Sequence, residues 1–410
     1  MIDPTSSLPA LSSPLHRKPV ARAVAILLAV LLAFAALVIC LVVGGLGSQA
    51  TRVFLGALAV SSLLSLLPLA ILWFLDRRER ESPRLFAAAF LWGGLIATTI
   101  SLPFNTAVIF AVAHWLDQHT SIRDLLGPEA ALMIGAPLAA PIVEESAKGL
   151  GIVLLFWLAR CDFDNVRDGF IYGALVGAGF NWFESALYVQ QNYAQFGFAP
   201  FGFQLGARYA WLGMAGHAMF SGIFGASLGV ARAARRPWLR WISPPVGLAL
   251  AMLAHAWQNS LPLFLTLIGA RHGEAAPTEV ARPPELGLLE AMWSASVSNV
   301  VIFLPYVVLL LAILRHSGRA ERTVIREELA REVGRSITEQ EYSDVVNDRA
   351  FRTRRIVARS RETSAALVNA QHELAFRKRR LRDRGFDPEL DPLVAARRVQ
   401  IHSLRARLNA

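Results

Sequence analysis

The sequence predicts an all-α polytopic membrane protein, a bundle of about eight helical spans followed by a C-terminal cytoplasmic helical tail. Three observations predict it. AVILMFWYC residues make up 54% of the 410 residues and charged residues only 18%, against roughly 45–50% and 25% in soluble domains. Long apolar runs recur through residues 21–314, and basic residues alternate between dense and sparse from one intervening loop to the next. Mean hydropathy is +0.42. A disordered chain, a collagen-like chain and an ordinary cytosolic enzyme fit this composition poorly. Two cysteines, Cys40 and Cys161, exclude a disulfide-stapled scaffold.

A helix crossing a hydrocarbon core about 30 Å thick needs about 20 mainly apolar residues. Residues 1–20 read as a cytoplasmic N-terminal segment, and 21–315 as the membrane domain. The first span, 21–43, exceeds the about 7–15 residues of a signal-peptide core and reads as a retained anchor. Spans follow at 53–75 and 85–115; the latter is too long for one straight crossing and contains Pro103, where a tilt, kink or break is expected. Further spans fall at 136–158, 169–189, 207–231, 245–268 and 286–314.

Basic residues set the orientation. One set of loops carries Arg17, Lys18 and Arg22; Arg77, Arg78, Arg80 and Arg84; Arg160 and Arg167; Arg232, Arg235, Arg236 and Arg240. The alternate loops carry only Arg52, Arg123, Arg208, Arg271 and Arg282. Both termini are therefore expected on the cytoplasmic face. Cys161 would then meet a reducing cytosol while Cys40 lies in a span, so no bridge between them is expected.

Residues 316–410 hold 21 basic and 14 acidic residues, so they contribute +7 of the formal +10. Apolar spacing at Leu329, Val333 and Ile337 predicts helices there, interrupted at Gly385, Pro388 and Pro392. The Arg-rich stretches 349–361 and 377–384 suit anionic lipid or a cytoplasmic protein partner. No recognition motif points to a specific nucleic acid. A solvated charged tail is the plainer alternative.

Ionisable side chains inside a span cost about 2.5–3.5 kcal/mol each on insertion scales and are rare unless paired, hydrated or functional. Here they cluster. The fourth span holds Glu144, Glu145 and Lys148, the fifth Glu184, the sixth His217, and the seventh His255 with Asn259. Glu144 and Lys148 are i,i+4 and Glu145 and Lys148 are i,i+3, so either pair can meet on one helix face. Adjacent residues point about 100° apart, so one glutamate faces a site while the other supports it. A helix restarting at Pro141 would put both glutamates in its first turn. Counting rise along each span brings the cluster together in the middle to outer half of the bilayer. Gly169, Gly173 and Gly177, with Gly225 and Gly229, supply close helix packing.

At these residues the chain resembles the PrsW family of polytopic bacterial membrane proteases, a relative of the CAAX prenyl endopeptidase and Abi bacteriocin-processing proteins. Pro141-Ile-Val-Glu144-Glu145-Ser-Ala-Lys148 reads as EExxK, and Phe180 to Glu184 as FxxxE. Gly216-His217 follows, then His255-Ala-Trp-Gln-Asn259 as HxxxN. The loop from Asp76 to Pro83 also fits. The likeness covers about residues 60–265 and leaves out the first span and the tail. It implies a bacterial cell-membrane enzyme that hydrolyses peptide bonds of membrane-anchored proteins within or at the edge of the bilayer. Regulated proteolysis of the anti-sigma-factor type is among the family's roles.

Peptide hydrolysis needs an activated water, a stabiliser for the oxyanion and a proton for the leaving amine. Glu145, with Glu144 beside it, is expected as general base; the alternative is an ion pair with Lys148 that holds the span in place. His217 is expected to polarise water or donate a proton, and His255 with Asn259 to form the oxyanion site. Phe180, Lys148 and Glu184 are supporting residues. The alternative for Glu184 and the histidines is interhelical hydrogen bonding. Glu184, His217 and His255 also make a His₂Glu set suited to Zn²⁺, and the same residues could act without metal, by glutamate-activated water. Two other classes compete: a proton-coupled transporter, against which stands the lack of an inverted repeat, and a non-catalytic scaffold or sensor.

Overall fold

The structure is a computed structural model that describes residues 14–76, 82–160, 162–234, 236–276, 278–347 and 361–409. Residues 1–13 of the N-terminal segment, most of the Asp76–Pro83 loop, Cys161 and the Arg-rich residues 349–360 lie outside the described residues. Among those described, the regular elements are helices, with one isolated bridge between Val333 and Ile337.

Two long apolar helices come first, α1 (Lys18–Gly45) and α2 (Ser48–Leu75), joined at Gly47, whose φ of +92° suits a residue without Cβ. Helix α3 (Pro83–Leu91) passes through a π-helical turn (Trp92–Ala97) into α4 (Thr98–Gln118). A short α5 (Thr120–Leu126) bends by 94° into α6 (Ala130–Leu158). Then come α7 (Val166–Phe196), α8 (Phe201–Arg208), α9 (His217–Ala233), α10 (Pro237–Asn259), α11 (Leu261–Arg271), α12 (Leu288–Ser298) and α13 (Val300–Ala330). The tail adds α14 (Glu339–Val346), α15 (Arg361–Asp383) and α16 (Pro392–Asn409).

Helices occupy each of the eight predicted stretches. Among the described residues, five helical runs are long and apolar enough to cross a membrane, or six if the bent α5–α6 pair is one span. Helix α7 is not among the five, and its burial explains why. From Asp168 to Gln190 it is enclosed on nearly every side by α9, α2, α3 and the π turn, so it carries small and polar residues where a lipid-facing helix carries leucine.

Four local expectations are corrected. The 85–115 stretch does not break at Pro103, which sits inside continuous α4; the irregularity is the π turn, where Gly93 and Gly94 press on α7. A Cβ on Gly93 would lie 1.8 Å from the Val176 carbonyl oxygen. Helix α6 does not restart at Pro141 but runs through Pro137 and Pro141, so Glu144 and Glu145 lie in mid-helix; membrane helices tolerate proline where neighbours satisfy the freed carbonyls. The 207–231 stretch is not one helix, because Trp211 (φ 54°), Leu212 (φ 58°), Gly213 (φ 74°) and Gly216 (φ 68°) unwind it, and His217 starts α9. In the tail, α13 ends at Ala330, and Gly334 (φ +77°) turns the chain so that Leu329 and Ile337 reach one core without a shared helix.

The glycine ladder packs α7 against α9. A Cβ on Gly169 would lie 2.2 Å from the Gly225 carbonyl oxygen, on Gly173 2.2 Å from that of Ser221, and on Gly177 2.0 Å from that of His217. This crossing fixes where α9 begins relative to α7.

The tail folds over two small apolar cores. Gly385 ends α15 and Pro392 opens α16, as their sequence positions predict. Buried Lys378 meets Glu332, which also accepts from Arg398 at 2.7 Å. The cations of the 377–384 run are spent mostly inside the chain: Arg377 pairs with Asp391 (2.6 Å), Arg379 with Glu327 (3.1 Å) and Arg382 with Glu328 (3.4 Å). Arg380 reaches Asp164 (2.5 Å) and Glu321 reaches Arg167 (2.6 Å), so the tail lies against the loop that opens α7.

Candidate active site

Helix α6 brings Glu144, Glu145 and Lys148 to the bundle interior, all at most 2% exposed. Lys148 Nζ lies 3.2 Å from Glu144 Oε2 and 2.8 Å from Glu145 Oε1, as the i,i+4 and i,i+3 spacings require. It also lies 2.9 Å from His217 Nδ1 and 3.8 Å from the centre of the Phe180 ring. Three helices then close on α6: α9 with His217 at its first position, α10 with His255, and α7 with Phe180 and Glu184.

The two histidines are held alike. His217 Nε2 lies 2.8 Å from Glu184 Oε2, and its Nδ1 faces Glu144 Oε2 at 4.0 Å. His255 Nδ1 lies 3.1 Å from Glu145 Oε1, and its Nε2 faces the same Glu144 oxygen at 4.0 Å. Each imidazole is thus oriented by a carboxylate on one nitrogen and turns the other towards Glu144; on His217 that second nitrogen also meets Lys148 Nζ at 2.9 Å. The rings stand 5.0 Å apart, with Phe180 against His217 and Phe220 stacked on His255. These aromatic walls keep both rings from turning.

Sequence reasoning missed three members. Ser221 Oγ donates to Glu145 Oε2 at 3.0 Å; it lies one helical turn after His217, a spacing that puts both on one face. Asn105 Nδ2 on α4 donates to Glu144 Oε1 at 2.9 Å, and as a lone amide in an apolar run it carried no signal. Arg208, read as a loop cation, pairs with Glu184 Oε2 at 2.7 Å and lies over the Tyr188 ring. Asn259 does not join the cluster by hydrogen bond: it ends α10 with Nδ2 3.4 Å from the Ala136 carbonyl oxygen.

Three carboxylates, Glu144, Glu145 and Glu184, meet two fixed cations, Lys148 and Arg208. With all three ionised, one negative charge is left over in a largely buried site, which suits an added cation. Glu144, His217 and His255 each offer a ligand atom, all within 4.8 Å of one another.

Residues 81–275 match the family model described as PrsW family intramembrane metalloprotease. That segment, just under half of the chain, is a PrsW-family protease domain. No curated protein and no solved structure matches the chain. The matched segment starts and ends later than the 60–265 read from the sequence, and it contains every residue of the cluster. A PrsW-family domain is an intramembrane protease, and the cluster is where its helices converge. The donors fit a metal ion: one carboxylate and two imidazoles, each imidazole backed by a carboxylate as histidine ligands commonly are. Glu184, expected among the ligands, lies behind His217, and Glu144 stands on the side that both histidines face.

Proposed function

We propose that this protein is a bacterial cell-membrane endopeptidase, with both termini cytoplasmic, that cuts membrane-anchored proteins in or near the bilayer. Regulated proteolysis of anti-sigma-factor type substrates is the role this reading favours. The observation that carries it is the pair of carboxylate-backed histidines turned towards Glu144 inside a PrsW-family domain. The cytoplasmic placement is supported by the arginine asymmetry of the loops and by the contact between tail and α6–α7 loop, which puts those two on one side.

Glu144, His217 and His255 would hold the metal, with Zn²⁺ the ion this donor set suits. A bound ion supplies Lewis acidity towards the scissile carbonyl and makes a water acidic enough to attack at neutral pH. Glu184 and Glu145 fix the ring orientations, and Arg208 neutralises Glu184. Glu145 lies outside the ligand trio and takes the proton of the attacking water, then returns it to the leaving amine. Lys148, 2.8 Å from it, holds its charge until then. Asn259, one turn beyond His255, donates to the oxyanion after leaving Ala136, a long contact at 3.4 Å.

A second reading without metal is favoured by the position of Lys148, whose ammonium touches both glutamates and His217. There Glu144 or Glu145 activates the water, and Lys148 and the histidines balance charge. Purified full-length protein in liposomes, given a membrane-protein preparation and followed by new N-termini, separates the two. The metal reading expects chelation to abolish cleavage and Zn²⁺ to restore it; cleavage that persists after complete stripping sinks it and leaves the glutamate reading.

A further inference from the structure

Asn105 touches Glu144 yet belongs to none of the four motifs. Its Nδ2 donates to Glu144 Oε1 at 2.9 Å. Glu144 Oε2 receives Lys148 at 3.2 Å and faces a nitrogen of each histidine at 4.0 Å. The two oxygens are therefore divided, one tied to α4 and the other turned to the histidines. The terminal torsion of a glutamate is broad and two-fold, so nothing intrinsic to the side chain enforces this division. A donor fixed to a neighbouring helix does.

The other end of the amide says what Asn105 is for. Its Oδ1 is buried and has no hydrogen-bond partner among the described residues. An asparagine that serves to hold two membrane helices together satisfies both ends, because lipid offers no alternative partner. Asn105 satisfies only the end on Glu144. The contact also lies on the main α4–α6 seam: the helices run antiparallel, with Ile109 against Gly135 and Asn105 against Glu144. The amide is thus delivered by backbone packing.

We propose that Asn105 is a positioning residue of the metal centre, holding Glu144 Oε1 so that Oε2 is presented to the cation. This rests on the reading of Glu144, His217 and His255 as ligands. Outer partners of ligating groups are typically worth about 10–100-fold in metal affinity, and Asn105 is expected in that range.

The test uses full-length protein in detergent, stripped with chelator. It is titrated with Zn²⁺ against a chromophoric competitor and, separately, with Co²⁺ while the visible spectrum is recorded. Asn105→Ala and Asn105→Leu should bind Zn²⁺ about 10–100-fold more weakly, with an altered Co²⁺ spectrum. The leucine variant refills the volume, so an unfolding temperature near wild type separates lost positioning from lost packing. Thr106→Ala, at an exposed residue whose hydroxyl donates to the Leu102 carbonyl, should bind as wild type does. A folded Asn105 variant with wild-type affinity and an unchanged Co²⁺ spectrum overturns the proposal. Wild-type protein that takes up neither ion overturns the ligand reading first, and this proposal with it, before any variant is compared.

Discussion

Gly177→Ala tests how the fold delivers His217. Gly177 lies on α7 where α9 starts, and an added Cβ would sit 2.0 Å from the His217 carbonyl oxygen and 2.8 Å from Ala218 Cα. Real Cβ contacts stay above 3.0 Å, so the two backbones must part by about 1 Å, and a shift of that size in a catalytic group can cost about 10²-fold in rate. Overpacking of this kind also costs about 1–3 kcal/mol in stability. The displaced backbone belongs to the imidazole held between Glu184 and Glu144, so the rate should suffer more than the fold. The assay is kcat/KM on any cleaved peptide in liposomes, beside the unfolding temperature. Gly44→Ala, a helical glycine where the added Cβ meets no atom of another described element within 4 Å, is the control and should behave as wild type. Gly177→Ala protein with wild-type kcat/KM would refute the argument that this crossing places His217.

Two further outcomes are expected. Ser221→Ala removes the 3.0 Å donor on Glu145 Oε2; hydrogen bonds to charged groups are worth about 1.5–3 kcal/mol, so kcat should fall about tenfold or more with KM little changed, as steady-state kinetics can read. In the tail, burial alone would raise the Glu332 pKa, but hydrogen bonds from Arg398, Lys378 and Ser336 outweigh it and hold it at about 2, below the ordinary 4.5. A depressed carboxylate stabilises the fold above its unfolded pKa, and that stability is lost as pH falls towards the folded value. Proteolytic resistance of the tail should therefore drop between pH 4.5 and about 2, and Glu332→Gln should flatten that dependence; equal pH profiles would count against the buried ion network.

The charged members of the site were legible in the sequence for a physical reason: Glu144, Glu145, Lys148, Glu184, His217 and His255 are costly in apolar spans, so their presence is itself a signal. Their partners were less so. Asn105 and Ser221 are cheap enough in a membrane helix to pass as packing, and Arg208 looks like a loop cation until the unwound 209–216 segment folds it back onto Glu184. The helical stretches could be read from apolar runs, but not where they break. Proline at 103 and 141 suggested breaks that tertiary packing overrode, while Gly93 and Gly94 made an irregular turn because α7 crosses there at contact distance. The start of α9 at His217 follows the turn at Trp211–Gly216 and lies against Gly177, so the apolar run 207–231 alone hides the break.

The central claim is that the Glu144–His217–His255 centre cuts membrane-anchored proteins. N-terminal proteomics on membranes and medium tests it most directly, with cells carrying the wild type or Glu144→Gln at matched protein levels. The account predicts new N-termini near transmembrane segments in the wild type that vanish in the variant. Identical profiles would contradict it and return the buried cluster to a carrier or scaffold role.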